Sequence, residues 1–426
     1  MQRETFQKGV YIISGPNKIK VVSGEVEAIG KKFQEQEEVF IPEGKRIPLE
    51  VGTDAIIEID NQNLVEKIQT RTIPEDWDKV VDYLISKKIN SVIIFGEVDT
   101  GKTFFSTYIV NKLLTKNLVP SVLDCDTGQS DIGPPSALGL AVFKKPVLFM
   151  TEVEPEKLYF VGSHSPSEHF LYYLCGFVKL VKYGIENSDI IIIDTPGWVL
   201  GDGGRMLRSS EIELLRSLGT NFVVILLQRK NEVEHLVLTL SEDKVIKLTV
   251  SKKASPTSPE ERKKLREFVY KKYFSQLEEI VLNFDDIKTD RVYFLTGQKL
   301  QIEKNVSSNV LWIEKLPGFE GLYVVSEKLL SQKENESIKK IYGVKKIKNV
   351  IKNDFNKVIV SLLNETHEVV CLGIIEEVDF VNKKIYIYVP KGNKNKDIKI
   401  IQFGSLKLTL DIKEAGFVEP GILWNL

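Results

Sequence analysis

The segment Gly96-Glu97-Val98-Asp99-Thr100-Gly101-Lys102-Thr103 matches GxxxxGK[ST] at every fixed position. Each residue type in that spacing has a chemical use. Glycines let successive backbone N–H groups turn inward around phosphate oxygens. A helix N-terminus adds partial positive charge. Lys102 is spaced to reach the terminal phosphates, and the Thr103 hydroxyl to ligate Mg²⁺. The motif follows the apolar run 91–95 and opens the stretch 103–114, where Phe104, Tyr108 and Ile109 supply one helical face. That is the strand–loop–helix context such a loop requires, and a chance Gly-Lys-Thr loop would need neither flank.

Two acidic clusters also follow apolar strand candidates. Asp124-Cys125-Asp126-Thr127-Gly128-Gln129-Ser130 comes after Val122-Leu123, and Asp194-Thr195-Pro196-Gly197-Trp198 comes after four isoleucines. In a parallel sheet the C-terminal strand ends gather at the ligand crevice, so both clusters face the phosphate loop. One carboxylate can hold Mg²⁺, and another can take the proton of an attacking hydroxyl. Asp124 and Asp126 share a face if their segment stays extended; if the chain has already turned, only one faces the nucleotide. Asp131 reads as the cap of a following helix. The run from Asp194 to Gly197 also fits the DxxG switch of GTPases, but Gln228-Arg229-Lys230-Asn231-Glu232, after the strand candidate 222–227, lacks the Asn-Lys-x-Asp segment that reads guanine. In 259–270, with Ser258 as N-cap and Pro259 in the first turn, Arg262 and Arg266 are four apart and lie on one face. From spacing alone that is an ordinary charged surface helix.

The positioning elements follow from periodicity. Residues 1–72 hold short strand candidates (10–13, 18–22, 25–29, 39–41, 55–59) between Gly, Pro and Asn turns, a small β-sandwich or barrel. From 73 to 288, strands alternate with helices, which predicts α/β architecture with a parallel sheet covered on both faces. From 289 to 426 the strand pattern returns (292–295, 322–325, 358–363, 369–374, 384–389, 398–403), a small β-rich domain. The Lys-rich stretch 339–352 reads as a solvated helix or loop rather than a nucleic-acid patch.

Composition narrows the class. With 58 basic and 59 acidic residues in a chain of 426, no global field draws it to nucleic acid. Cys125, Cys175 and Cys371 are isolated, which argues against structural zinc and a disulfide framework. His164 and His169 read as surface or satisfied polar residues. No apolar run approaches membrane-spanning length and the N-terminus lacks a signal-peptide core. A soluble, cytoplasmic protein is expected.

Together these motifs resemble the polynucleotide 5′-hydroxyl kinases, the family that includes the kinase-like subunit of the eukaryotic pre-mRNA cleavage factor and the nucleolar rRNA-processing kinases; the likeness is greatest to archaeal members and covers essentially the whole chain. Gly96 to Thr103 matches the family's phosphate loop. Asp126 to Ser130 matches its Asp-x-Gly-Gln segment, whose Asp is taken as general base, with Gln129 on the substrate. Thr195, Gly197 and Trp198 match its Thr-x-Gly-Trp clasp over loop and substrate, and Arg262 and Arg266 match its RxxxR lid. Gly24 to Gly30 resembles the segment that approaches the nucleotide base, through Glu27. The resemblance implies a central P-loop kinase domain that transfers the γ-phosphate of ATP or GTP to the 5′-hydroxyl of RNA or DNA. Lys102, Asp126, Arg262 and Arg266 would be catalytic, and Mg²⁺ would be held by Thr103 with Asp124 or Asp194. RNA-processing partner proteins are expected. The rival expectation is a regulatory P-loop NTPase that binds nucleotide to hold a complex together.

Overall fold

Six apolar runs supply six of the seven strands of the central sheet: β1 (Ser91–Phe95), β2 (Pro120–Asp124), β3 (Ala137–Val142), β4 (Ile190–Asp194), β5 (Phe222–Gln228) and β6 (Val245–Thr249). Every residue of β1, β2, β4 and β5 is buried, which explains why they read as continuous apolar segments rather than alternating ones. Among these six the order is β3-β2-β4-β1-β5-β6. Neighbours from β2 to β6 are parallel, and β3 runs antiparallel to β2. Helices α1 (Lys102–Leu114), α2 (Phe170–Asn187) and α3 (Gly201–Ser217) connect or flank these strands. α1 buries nine of its residues, among them Phe105, Tyr108 and Ile109.

This computed structural model describes residues 1–251, 257–394, 396–419 and 421–424. The chain divides into two compact units. The first comprises Met1–Gly133, Leu138–Lys157 and Tyr173–Glu261, the second Pro134–Ala137, Leu158–Tyr172 and Arg262–Leu426. In the first unit the N-terminal residues form two sheets, of four and five strands, through antiparallel pairs. One hydrophobic core joins Ile13, Ile19 and Ile57 of these strands to Trp77, Phe105 and Ile225 of the P-loop region.

The longest segment of the second unit begins within α4 (Pro259–Tyr273), at Arg262, and is β-rich. It also contains a crossover: Gly321–Ser326 pairs in parallel with Lys346–Ile351, and α5 (Gln332–Tyr342) lies between them in sequence. The Lys-rich stretch 339–352 is therefore the end of a helix followed by an edge strand. Lys339 and Lys340 fall in the last turn of α5, where cations offset the carbonyl end of the helix dipole. Lysines along an outer strand discourage edge-to-edge pairing. Three expectations need correction. No helix follows Asp131; the chain runs into antiparallel β3, and Asp131 instead accepts from Lys45 Nζ at 3.4 Å. The stretch 292–295 holds only an isolated bridge, Val292 to Leu423. His169 is buried and neither ring nitrogen is hydrogen-bonded; burial holds its pKa down at about 4, so the ring is neutral. No helix among the described residues is long and apolar enough to cross a membrane.

Candidate active site

The phosphate loop turns between the end of β1 and the start of α1, and its shape is forced at three points. Gly96 has no room for a side chain: a Cβ would lie 2.6 Å from both the Leu227 carbonyl oxygen and Thr100 Oγ1. Gly101 takes φ 85°, the left-handed region that glycine alone enters without strain. Asp99 also has positive φ, 59°, and its surroundings fix it there. Its carbonyl accepts from Arg229 Nη2 at 3.0 Å, and its carboxylate accepts from the Thr257 amide and hydroxyl at 2.7 and 3.0 Å. Thr100 Oγ1 donates to the Glu97 carbonyl at 3.0 Å, closing the turn.

Lys102 is buried and donates to the Gly96 and Glu97 carbonyls at 3.0 and 2.8 Å. Burial pulls its ammonium below the ordinary range, while Asp194 and Asp126 favour its charge. Register places Asp194 opposite Ile94 of β1 and opposite Asp124 of β2. Burial pushes Asp194 up to about 7, against the pull of Lys102 and a hydrogen bond from the Thr103 hydroxyl. Thr103 and Asp194 thus meet as a hydroxyl–carboxylate pair beside the lysine, a donor set of the hard oxygens Mg²⁺ takes. No group of three or more His, Cys, Asp or Glu among the described residues is arranged to hold a metal, so a cation at this pair would need phosphate or water oxygens as well.

The two carboxylates after β2 do different work. Asp124 is buried, and all of its bonding goes into the loop: Oδ1 accepts from the Asp126 amide at 3.0 Å, and Oδ2 from Ser130 Oγ, the Asp131 amide and the Ile132 amide at 3.2, 2.7 and 3.0 Å. Burial, then Asp194 and Asp131, push its pKa well up. Asp126 is half-buried, and its Oδ1 accepts from the Gly128 and Gln129 amides at 3.0 and 2.9 Å. Gln129 Nε2 donates to the Gly128 carbonyl at 3.0 Å. The chain has therefore turned between the two aspartates.

The segment after β4 closes onto the phosphate loop. Thr195 Oγ1 donates to the Ile94 carbonyl at 2.6 Å, tying β4 to β1. Gly197 lies against Val98: a Cβ there would stand 2.6 Å from its amide nitrogen and 2.7 Å from its Cα. Half-buried Trp198 rests on the first turn of α3, where a Cβ at Gly203 would stand 2.3 Å from Trp198 Cζ2. Gly197→Ala must push one backbone off another. Overpacking of this kind costs about 1–3 kcal/mol. Here the displaced backbone is the phosphate loop itself, so nucleotide affinity should weaken about tenfold or more, together with a lower Tm. A native nucleotide Kd for Gly197→Ala, by titration calorimetry, would show that this contact does not shape the loop.

Arg262 and Arg266 stand on one face of α4. The expected Ser258 cap is present: its hydroxyl accepts from the Glu261 amide at 3.2 Å, and Glu261 accepts from the Ser258 amide at 2.7 Å. Arg266 is ion-paired with Glu414 at 2.7 Å. Glu27 accepts from Lys112 Nζ at 2.6 Å. Lys112 is ten residues beyond Lys102, about 15 Å along the helix axis, so Glu27 sits toward the far end of α1.

Two supports escaped sequence reasoning. Asp99 and Arg229 fix the loop's conformation; that Arg229 directly follows a strand was the available signal. Beneath the loop, Arg208 and Glu211 of α3 form a fully buried ion pair at 2.6 Å, Glu211 accepts from the Tyr173 hydroxyl at 2.7 Å, and the guanidinium lies 5.5 Å from the Phe95 ring. Nothing in their spacing separates them from a surface i,i+3 pair.

Residues 96–276 match the family model described as the P-loop of mRNA cleavage and polyadenylation factor CLP1. The polyribonucleotide 5′-hydroxyl-kinase of Pyrococcus horikoshii is 30% identical over 364 residues, which cover 83% of this chain and 96% of that one. The polyribonucleotide 5′-hydroxyl-kinase of Methanocaldococcus jannaschii is 29% identical over 364 residues, 84% and 98% of the two chains. Among solved structures, wild-type Clp1p in complex with Pcf11p (454–563) superposes with TM-score 0.66 over 95% of this chain and 97% of that one, at 14% identity. Identity that low shows a shared fold.

Proposed function

The chain belongs to the polynucleotide 5′-hydroxyl kinase family, and on that premise we propose that it transfers the γ-phosphoryl group of a nucleoside triphosphate to the 5′-hydroxyl end of a polynucleotide, with Asp126 as the base. The observation that carries this reading is the convergence of the phosphate loop, the Thr103–Asp194 pair and the Asp126 turn at the C-terminal ends of three neighbouring parallel strands. Asp126 takes the 5′-OH proton as its oxygen bonds to the γ-phosphorus. The bond to the β,γ-bridging oxygen breaks, and the electron pair leaves on the nucleoside diphosphate. Lys102 stabilises charge on the terminal phosphates throughout. Arg262 and Arg266 act as the lid cations on the transferring group, a role that rests on their match to the family's RxxxR. Mg²⁺, held through Thr103 and Asp194, would supply further neutralisation at the phosphates. Asp124 serves the site indirectly, by shaping the turn that presents Asp126. Gln129, Thr195, Gly197 and Trp198 form the wall toward the acceptor, and the half-buried Trp198 ring offers a surface on which a terminal base can stack.

The relatives' names favour RNA as the acceptor. Incubation with γ-³²P-labelled ATP and a 5′-hydroxyl RNA should place the label on the oligonucleotide. The same RNA carrying a 5′-phosphate should stay unlabelled, and a matched 5′-hydroxyl DNA measures acceptor preference. Label released only as inorganic phosphate, with either acceptor, would make the chain a regulatory NTPase instead.

A further inference from the structure

Helix α4 is anchored along one face. Tyr270 is fully buried, and its hydroxyl donates to Ser136 Oγ at 3.2 Å and lies 3.0 Å from His164 Nε2. With Phe274 it joins a cluster that includes Phe160, Ile359 and Leu372. One turn earlier, Arg266 Nε and Nη2 donate to the two carboxylate oxygens of Glu414 at 2.7 and 3.3 Å. Glu414 opens the strand Glu414–Phe417, which pairs with Ile400–Leu408, and its own amide donates to Glu267 Oε1 at 3.3 Å. Consecutive residues of α4 are thus tied to one short strand. His164 Nδ1 lies 3.8 Å from Glu414 Oε1. Burial and the neighbouring Arg266 hold His164 down at about 3, so the imidazole is neutral and does not compete with the guanidinium as a cation.

Exposed ion pairs between long side chains contribute little. This pair differs: Arg266 and Glu414 side chains are 18% and 19% exposed, and both ends are anchored. A guanidinium is a planar fork, so a carboxylate across its Nε–Nη2 edge fixes the plane and the direction of the remaining Nη1 edge. We propose that Glu414 is a positioning residue for phosphoryl transfer: its two-point contact fixes the plane of the Arg266 guanidinium, the lid cation assigned above. The inference rests on the lid role of Arg266 given above. Its order is Glu414 to Arg266 to phosphoryl oxygen, and Glu414 itself touches no substrate.

The test is Glu414→Gln in the full chain, with transfer to 5′-hydroxyl RNA measured at saturating ATP, Mg²⁺ and RNA. The expected result is a kcat lower by about tenfold, the lower range for losing a partner that orients a site residue. Nucleotide Kd and RNA KM should stay within about twofold, because orientation matters in the transition state. In an Arg266→Ala background, Glu414→Gln should slow transfer no further. A native kcat in folded Glu414→Gln overturns the proposal; so does a further drop in the Arg266→Ala background, which would mean Glu414 acts through the fold at large. A raised kcat also overturns it, since the pair would then be a restraint. If Glu414→Gln fails to fold, Glu414→Asp decides: a kcat between native and Arg266→Ala supports the role, and a native kcat beside a slow Arg266→Ala overturns it. An Arg266→Ala protein that transfers at the native rate removes the lid assignment, and the Glu414 role with it.

Discussion

Lys102→Ala should lower transfer by on the order of 10²–10³-fold, the usual cost of removing one preorganised charge from a water-excluded site. The structure gives the physical reason. Lys102 is buried and its Nζ is held by two loop carbonyls, so on the proposed reading its charge is already placed within the phosphate loop. Its charge also props the acidic groups around it. Asp194 is already pushed up to about 7 by burial, with Lys102 the largest influence holding it down. Without the lysine, Asp194 rises further and is more protonated at neutral pH, so the substitution removes the proposed phosphate cation and weakens the proposed metal-holding carboxylate. Both losses act on bound nucleotide as well as on the transition state, so nucleotide affinity should fall with kcat. The check is single-turnover label transfer at saturating ATP together with a nucleotide Kd. Near-native transfer by Lys102→Ala would move the chemistry to another site.

What sequence reading captured, and what it did not, divides by range. The phosphate loop is a local motif: Gly96 and Gly101 are needed because a neighbouring carbonyl crowds one and a left-handed φ requires the other, and such needs are written at fixed spacings. The parallel strands were visible because burial on both faces leaves unbroken apolar runs. The turn at Asp126 could not be decided, because an aspartate two residues after another is compatible with extended and turned backbone alike. Antiparallel β3 was missed for the same reason that Asp131 was misread as a cap: the segment 125–136 contains turn residues but no period. Segments 134–137 and 158–172 lie within the stretch 73–288, yet by contact they group with Arg262–Leu426. Contacts such as Tyr270 with Ser136, and Arg266 with Glu414, span well over a hundred residues, and no local pattern announces them.

Asp126→Asn and Asp124→Asn should fail in different ways, and the comparison assigns the base. Asp126→Asn preserves size, and its amide oxygen can still accept from the Gly128 and Gln129 amides, as Oδ1 does now. The turn should survive, and nucleotide Kd with it. What asparagine cannot do at neutral pH is take the 5′-OH proton, so kcat should fall by roughly 10²–10⁴-fold, the range for a positioned acid–base group. Asp124 presents the opposite case. Its two oxygens accept four hydrogen bonds, three of them on Oδ2, and an asparagine can set only one oxygen against them. Its NH₂ then faces donors across a buried gap, and a buried polar group left without a partner costs about 1–3 kcal/mol. Asp124→Asn should therefore lower Tm and loosen the whole turn, weakening Asp126, Gln129 and nucleotide binding together. Measured side by side, a kcat loss at unchanged Kd and Tm identifies the base. If that signature comes from Asp124→Asn while Asp126→Asn transfers normally, the proton goes to Asp124. If Asp126→Asn instead raises nucleotide Kd and high Mg²⁺ restores it, Asp126 is a metal ligand.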